Sequence, residues 1–194
     1  QLKLELNASL INAILKLKEK EYMNAILDSS VKLKHMIDNI IDVSSIDAGY
    51  ISLNAKRFTV SQMIEELTPE LEKSCMEKHL KLNIEVRKSV KNLTADKERL
   101  KNALTTIFSY SAAMSDEKDK INFLVTLKDR KILFKITDFG RGLNEQDLDN
   151  IFEHFYRFDD QDSQNTGGLS IYLAKKMIDM HGGELKVESS EGRG

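Results

Sequence analysis

Residues 136–143 read Ile136-Thr137-Asp138-Phe139-Gly140-Arg141-Gly142-Leu143 and carry the strongest indication of the fold. They follow a run, residues 131–136, in which apolar residues alternate as they do in a β-strand. Glycine permits positive φ and close backbone approach. A carboxylate at the end of a strand can accept a hydrogen bond from the exocyclic amine of a flat ligand. The stretch therefore predicts either a ligand-binding loop headed by Asp138 or a tight turn after an edge strand.

The composition is that of a globular protein with a substantial core. Of the 194 residues, 41% are apolar and 31% are charged, which suits one larger domain or a domain with a smaller companion. The net charge of -2 gives no electrostatic basis for binding nucleic acid or an anionic membrane. The one cysteine, Cys75, excludes an internal disulfide and suits a reducing compartment. No membrane span or signal peptide is visible, so we expect a cytoplasmic protein whose membrane anchor, if any, lies outside this chain.

The first 47 residues contain no glycine or proline and have a helical pattern. Apolar residues form one stripe in residues 10–17 and a second stripe, out of phase with the first, in residues 26–40. One straight helix cannot bury both stripes, so the pattern predicts a helical hairpin or an interruption within residues 16–21. Gly49 is then expected to cap the C-terminus of this helical region.

The rest of the chain alternates between helical and strand patterns. Thr59 and Gln62 form a capping-box pair for a helix that runs to about residue 79 and contains Pro69, which predicts a kink or an early restart. The other predicted elements are strands at 58–60, 82–86 and 185–188, a hairpin of 121–127 with 131–136, and helices at 96–114 and 169–181. This order predicts an α+β fold: an α/β sandwich with a helical layer on a mixed sheet at 55–194, after a helical domain at 1–54.

Several motifs together resemble sensor histidine kinases of two-component systems. Residues 40–49, IIDVSSIDAG, resemble the end of the family's dimerisation helix, and residues 138–143, DFGRGL, resemble its first glycine box. Residues 151–158, IFEHFYRF, are similar to the F-box, and residues 165–171, NTGGLSI, to a shortened second glycine box. Residues 180–194 are similar to the family's HGG and GxG ending. The motifs occur in the family's order along nearly the whole chain.

This resemblance implies a two-helix dimerisation hairpin followed by an ATP-binding domain of the GHKL type, the fold shared with gyrase. Asp138 would contact the adenine amine, and Gly140 and Gly142 would let the loop pass the base. The F-box would begin a mobile lid with Tyr156 and Arg157. The residues expected to close on the phosphates through backbone N–H groups, near the start of the 169–181 helix, are Thr166, Gly167 and Gly168.

The first departure from the family pattern concerns the phosphoryl acceptor. The family carries an HELRTPL-like box whose histidine accepts the phosphoryl group. An ungapped match puts Leu4 in the histidine's place, and an alternative match leaves the box missing between Ser9 and Leu10. Neither match supplies an acceptor histidine. Four histidines are present elsewhere in the chain. We expect His35, His79 and His181 to have packing roles and His154 to lie at the surface.

The second departure concerns the metal site. Residues 96–104 fit the DxxRLxQVL motif, after which the family has two asparagines and a lysine that meet Mg²⁺ and phosphate. Thr106 and Tyr110 stand in place of the asparagines, and Ala113 stands in place of the lysine. Mg²⁺ requires oxygen ligands in octahedral geometry, and phosphoryl transfer depends on charge neutralisation by the metal and the lysine. We therefore expect weak or absent transfer, weak ATP binding and no support for Mg²⁺.

Two functions remain open on this basis. One is the cytoplasmic core of a sensor histidine kinase that binds ATP, forms a homodimer through its N-terminal helices and acts on a response regulator. The other is a degenerate pseudokinase, a dimeric scaffold or regulator of a partner kinase or response regulator. Reading the DFG of residues 138–140 as a protein-kinase motif requires an upstream glycine-rich loop, a strand lysine and an HRD-like loop, and none is visible.

Overall fold

The computed structural model describes residues 2–153, 156 and 168–194. In the first helix it describes side chains from residue 16 onward, except those of residues 17, 28, 32 and 35. The described elements form five helices and five strands. In chain order they are α1 (Leu2–Asp47), β1 (Lys56–Thr59), α2 (Val60–Met76), β2 (Lys81–Val86), β3 (Asn92–Ala95), α3 (Lys97–Met114), β4 (Lys120–Lys128), β5 (Lys131–Thr137), α4 (Glu145–Asn150) and α5 (Leu169–Met180).

The first helix is continuous, so the predicted hairpin or interruption within residues 16–21 is wrong. α1 runs for 46 residues, because lysine and glutamate are good helix formers and the segment has no glycine or proline. The mismatch between the two apolar stripes did not require a turn, since the apolar side chains described in residues 22–41 are mostly exposed. The predicted C-cap is confirmed: Gly49 has φ of 72°, and its N–H donates to the Ile46 carbonyl at 2.9 Å.

The chain divides into two compact units, Gln1–Ile41 and Asp42–Gly194. The last turn and a half of α1 thus belongs to the second unit, where Val43 is buried and Ile46 packs beside Ala174 and Met177 of α5. The predicted functional boundary at residue 54 stays a prediction. Among the described residues, no helix is long and apolar enough to cross a membrane.

The described residues of the second unit form two sheets. β1 pairs with β3 antiparallel, and β4 lies in the centre of a three-stranded sheet in the order β2-β4-β5. β2 is parallel to β4, and β4 is antiparallel to β5, which confirms the predicted mixed sheet and hairpin. The hairpin turn places Asp129 and Arg130 at φ of 49° and 65°, as a tight turn between twisted strands requires.

The core lies between the three-stranded sheet and helices α2 and α3. Alternate residues of β4 point into it, and Ile121, Phe123 and Val125 are almost fully buried, as a strand with one covered face requires. Phe108 of α3 meets Phe123 with ring centroids 6.5 Å apart. The predicted helical layer on one sheet face is confirmed, and it places the end of α3 beside the loop that follows β5.

Two local predictions are wrong, and so is one of the two outcomes predicted at Pro69. Thr59 occupies the N-cap position of α2 but makes no side-chain cap bond; its hydroxyl lies 3.5 Å from Asn92 Oδ1 instead. α2 continues through Pro69 without the predicted restart, and the alternative, a kink, stays a prediction. Residues 185–188 form no strand with any described residue, although Leu185 and Val187 are half-buried in alternation. The backbone that follows them bonds to the loop after β5 rather than to a sheet neighbour.

Candidate functional site

The loop after β5, residues 138–143, lies between the end of α3 and the C-terminal tail, residues 189–194. The Arg141 N–H donates to the Met114 carbonyl at 3.4 Å, and the Arg141 carbonyl accepts from Gly192 N–H at 2.6 Å. Leu143 N–H donates to Ser189 Oγ at 2.9 Å. The loop is therefore fixed by the protein's own backbone on both sides.

The two box glycines are required by these close approaches. A Cβ at Gly140 would lie 2.1 Å from the Met114 carbonyl oxygen, and a Cβ at Gly142 would lie 2.1 Å from the Ser190 carbonyl oxygen. Gly142 also has φ of +68°, which side chains rarely adopt. The tail makes a third such approach, since a Cβ at Gly194 would lie 2.5 Å from the Asp138 carbonyl oxygen.

The Asp138 carboxylate stands at the head of this loop and is half-buried. Its Oδ1 accepts a hydrogen bond from Gly140 N–H at 3.3 Å. That is the one hydrogen bond which the described residues donate to it, so Oδ2 is available for an amine donor. A half-buried carboxylate held by a rigid loop suits recognition of an adenine amine, and the adenine of ATP fits the residues present here.

A second apolar cluster, which we call the Tyr110 cluster, fills the space next to the loop. Its buried members come from α3, the loop, the turn after α4, and α5: Tyr110, Met114, Leu143, Ile151 and Ile171. Half-buried residues packed against it include Phe152, Tyr156 and Val187. The Tyr110 side chain, which stands where the family has a metal-binding asparagine, is therefore packed largely among apolar side chains.

The electrostatics of Tyr110 are set by that environment. Burial raises the pKa of Tyr110 well above its ordinary value; the Arg141 charge opposes the rise, and Asp147, Asp138 and Tyr156 add to it. The phenol is consequently neutral at every physiological pH. A neutral, buried phenol is a poor ligand for a hard cation that prefers charged or carbonyl oxygens.

The other two substituted positions do not replace the missing ligands. The Thr106 hydroxyl donates to the Asn102 carbonyl one turn earlier in α3, at 2.9 Å. Ala113 has no charged group, and its carbonyl accepts from Lys78 Nζ, which also donates to the Ser115 carbonyl at 2.9 Å. The residues present at these three positions do not fit the family's Mg²⁺ ion.

The residues predicted for the lid are described only in part. The Tyr156 hydroxyl donates to Asp147 Oδ1 of α4 at 2.7 Å, which holds Tyr156 of the F-box against α4. Gly168 precedes α5 with φ of 70° and is buried. Arg157, Thr166 and Gly167 lie outside the described residues. The geometry thus brings together Asp138, Gly140, Gly142, Tyr110 and Tyr156, while Thr106 lies one turn before Tyr110 on α3.

The histidines differ in their surroundings. His181 is half-buried, and its Nε2 accepts from the Asp96 N–H at 3.0 Å while Nδ1 lies 2.6 Å from the Met177 carbonyl. The expected packing role of His79 is wrong, because its side chain is exposed after the end of α2. The side chain of His35 and all of His154 lie outside the described part of the chain.

Sequence reasoning missed two residues that shape the site. Arg141 lies between the two box glycines, and its Nη2 donates to Met114 Sδ at 3.2 Å. Asp147 anchors Tyr156. The position of Arg141 inside the glycine box was a usable signal, whereas the pairing of Asp147 with Tyr156 depends on a tertiary contact that spacing does not reveal.

Comparison with known proteins gives one family. Residues 95–194 match the family model described as histidine kinase-, DNA gyrase B-, and HSP90-like ATPase. The circadian input-output histidine kinase CikA of Synechococcus elongatus is 27% identical over 181 residues, which cover 91% of this chain and 24% of CikA. Sensor protein SrrB of Staphylococcus aureus is 25% identical, covering 90% of this chain and 30% of SrrB. The chain thus spans about a quarter to a third of the length of these curated relatives.

Solved structures show the same fold. Full-length ShkA in complex with AMPPNP superposes with a TM-score of 0.76 at 18% identity, covering 90% of this chain and 36% of ShkA. The Acinetobacter baumannii histidine kinase AdeS superposes with a TM-score of 0.67 at 17% identity, covering 81% of this chain and 72% of AdeS. Because the family model matches more than half of the 194 residues, the chain belongs to the histidine kinase-, DNA gyrase B-, and HSP90-like ATPase family and is homologous to sensor histidine kinases.

Proposed function

We propose that this chain is the nucleotide-binding core of a sensor histidine kinase lineage and that it binds ATP at the loop after β5. The observation that carries the proposal is the fixed position of the Asp138 carboxylate. The loop behind it is held by Met114 on one side and Gly192 on the other, and Oδ2 is available for the adenine amine. ShkA, which shares this fold, was solved with AMPPNP.

The proposal includes impaired phosphoryl transfer. Tyr110 is buried in an apolar cluster, Thr106 bonds its own helix, and Ala113 offers no cation. Transfer needs a neutralised and aligned triphosphate, and these three positions supply neither a metal ligand nor the family's lysine. The sequence also has no histidine at the family's acceptor position.

A second candidate function, a dimeric pseudokinase that regulates a partner, is favoured by a different observation. The described part of α1 exposes a broad apolar stripe that includes Ile26 (67% exposed) and Leu33 (58% exposed). Such a stripe on a long helix suits pairing with the same helix of a second copy. In this proposal residues 1–54 form the dimerisation and phosphoacceptor-like domain, and residues 55–194 form the ATP-binding domain. Its partners are a response regulator or a partner kinase in the cytoplasm.

Labelling with γ-labelled ATP separates an active kinase from the impaired one. We expect no acid-labile phosphohistidine on the purified chain, with or without Mg²⁺, because both the acceptor and the metal ligands are replaced. The Asp138→Asn variant, measured in the same way, gives the background level of label. A label that appears on the wild type, disappears in that variant and maps to any of the four histidines would contradict the proposal.

A further inference from the structure

Arg141 is the cation of the loop after β5, and its position is closely fixed. Its N–H and its carbonyl are both bonded, to the Met114 carbonyl and to Gly192 N–H respectively. The side chain is half-buried, and its Nη2 donates to Met114 Sδ at 3.2 Å. The guanidinium is therefore directed across the end of α3.

That end of α3 is where the family holds its metal. Met114 lies four residues after Tyr110, so the two side chains share one face of the helix, about one turn apart. Both belong to the Tyr110 cluster. The guanidinium of Arg141, which contacts Met114, is thus close to the position at which Tyr110 replaces the metal-binding asparagine. The effect of the Arg141 charge on the Tyr110 hydroxyl agrees with this placement.

We propose that Arg141 binds the phosphates of the nucleotide in place of the metal ion, so that the ligand is a metal-free adenosine polyphosphate. The proposal rests on the proposed function, since it takes the adenine to lie at Asp138. An arginine carries its charge at all physiological pH values and forms paired hydrogen bonds to phosphate oxygens. It can therefore neutralise a phosphate without the ordered ligand shell that Mg²⁺ needs.

The acidic groups nearby are compatible with this assignment. Asp147 bonds the Tyr156 hydroxyl, and Asp138 faces the adenine amine in the proposed complex. Both carboxylates act on the Tyr110 hydroxyl as Arg141 does, so each repels a bound phosphate, and the guanidinium is the group that offsets them. A phosphate is consequently expected at the guanidinium, beside Met114, rather than farther along α4.

The test is a set of calorimetric titrations in EDTA with ATP, adenosine and inorganic triphosphate. The variants are Arg141→Gln, which removes the charge, and Arg141→Lys, which keeps it without the planar fork. Arg130→Gln is the matched control, because it makes the same charge change at the far end of β5. That strand has 7 residues, so the two arginines are roughly 23 Å apart.

We expect Arg141→Gln to weaken the binding of ATP about tenfold or more, as for loss of a charge-assisted hydrogen bond. Adenosine affinity should not change, and Arg141→Lys should lose less than Arg141→Gln.

Several results would decide against the proposal. Equal affinity for ATP in Arg141→Gln and wild type would overturn it, and so would an equal loss for ATP and adenosine, because Arg141 would then only hold the loop. Failure of adenosine and ATP to bind, with inorganic triphosphate still bound through Arg141, would contradict the proposed function but support Arg141 as the phosphate-binding residue. Failure of all three to bind would overturn both.

Discussion

At the scale of the residue, Asp138 and the two glycines after it, Gly140 and Gly142, have different roles. The glycines are required by the protein's own backbone, since a side chain at Gly140 or Gly142 would meet the carbonyl of Met114 or Ser190. Asp138 has no such structural requirement. Its carboxylate makes one hydrogen bond, to Gly140 N–H, with the described residues. A functional test should therefore change Asp138, because changing a glycine would displace the loop itself.

We expect Asp138→Asn to weaken adenosine and ATP binding about tenfold, since the variant replaces an acceptor with an amide that can turn a donor toward the adenine amine. Calorimetric titration measures the change, and Asp129→Asn at the exposed hairpin turn is the matched control. Unchanged affinity in Asp138→Asn would mean that the base does not lie on this loop.

Tyr110 is predicted to matter more for folding than for binding metal. Its side chain is only 7% exposed and belongs to the Tyr110 cluster. Tyr110→Ala should lower the free energy of unfolding by about 3–5 kcal/mol, as truncation of buried aromatic side chains does. Tyr50→Ala, at a tyrosine that is 86% exposed, should change it by less than about 1 kcal/mol. Denaturant titration of both variants measures the difference, and similar losses would show that Tyr110 is not a core residue.

The residues that surround the site could be predicted from the sequence more fully than the role of each residue. Asp138 and the two glycines could be named from the strand-to-glycine pattern. The substitution at Tyr110 was visible, but its burial was not, because burial depends on Leu143, Ile151 and Ile171, which lie far from Tyr110 along the chain. The side-chain direction of Arg141 likewise depends on where α3 ends in space.

At the scale of the element, α1 shows why a periodicity can mislead. Two stripes out of phase indicate a turn only if both stripes must be buried within one chain. The described apolar residues of α1 are largely exposed, so a single helix 46 residues long, about 69 Å at 1.5 Å per residue, has no conflict to resolve. A second copy that covers this stripe would remove the exposed apolar surface.

Charged substitutions on the stripe should prevent that association. We expect the double variant Ile26→Glu with Leu33→Glu to be monomeric where the wild type is dimeric, since burying two carboxylates in an apolar interface is costly. Sedimentation velocity measures the state. Asn24→Glu, on the opposite side of the helix, is the control and should stay dimeric. A monomeric wild type would contradict the dimer proposal.

The junction before α3 is a second element-scale feature that spacing did not reveal. Asp96 caps α3 through Arg99 N–H, accepts from Asn54 N–H of the connecting segment at 2.9 Å, and its own N–H bonds His181. One residue thus joins the connecting segment, α3 and the end of α5. Partial burial of the carboxylate raises its pKa, but the hydrogen bonds from Asn54 and Arg99 outweigh that effect and leave the pKa of Asp96 below its usual value.

This lowered pKa gives the fold a dependence on acid. A carboxylate whose pKa is depressed by folding contributes stability above its unfolded-state pKa, about 3.9, and that contribution is lost as the pH falls through the folded-state pKa. The loss of stability in Asp96→Asn should therefore be present at about pH 5 and shrink as the pH falls below about 4. Thermal unfolding across this range measures it, with Asp129→Asn as background. A loss that does not change with pH would show that the charge of Asp96 is not involved.

At the scale of the whole molecule, most elements could be predicted, and a strand is least predictable where it needs a distant partner or is very short. The α3 helix and the β4–β5 hairpin carry their own caps and turn residues. A strand at 185–188 requires a neighbouring backbone, and alternation alone cannot supply one. The short β3 strand went unpredicted because four residues, Asn92–Ala95, give too little periodicity to recognise.

The central claim is that this member of the family binds ATP without the family's metal ion. Calorimetric titration of ATP into the wild-type chain, once in EDTA and once in excess Mg²⁺, tests it most directly. We predict dissociation constants that agree within about threefold, less than 1 kcal/mol, because Thr106, Tyr110 and Ala113 provide no ligand for the ion and Arg141 takes its place. Binding that is tighter by about tenfold or more in Mg²⁺ than in EDTA would contradict the claim.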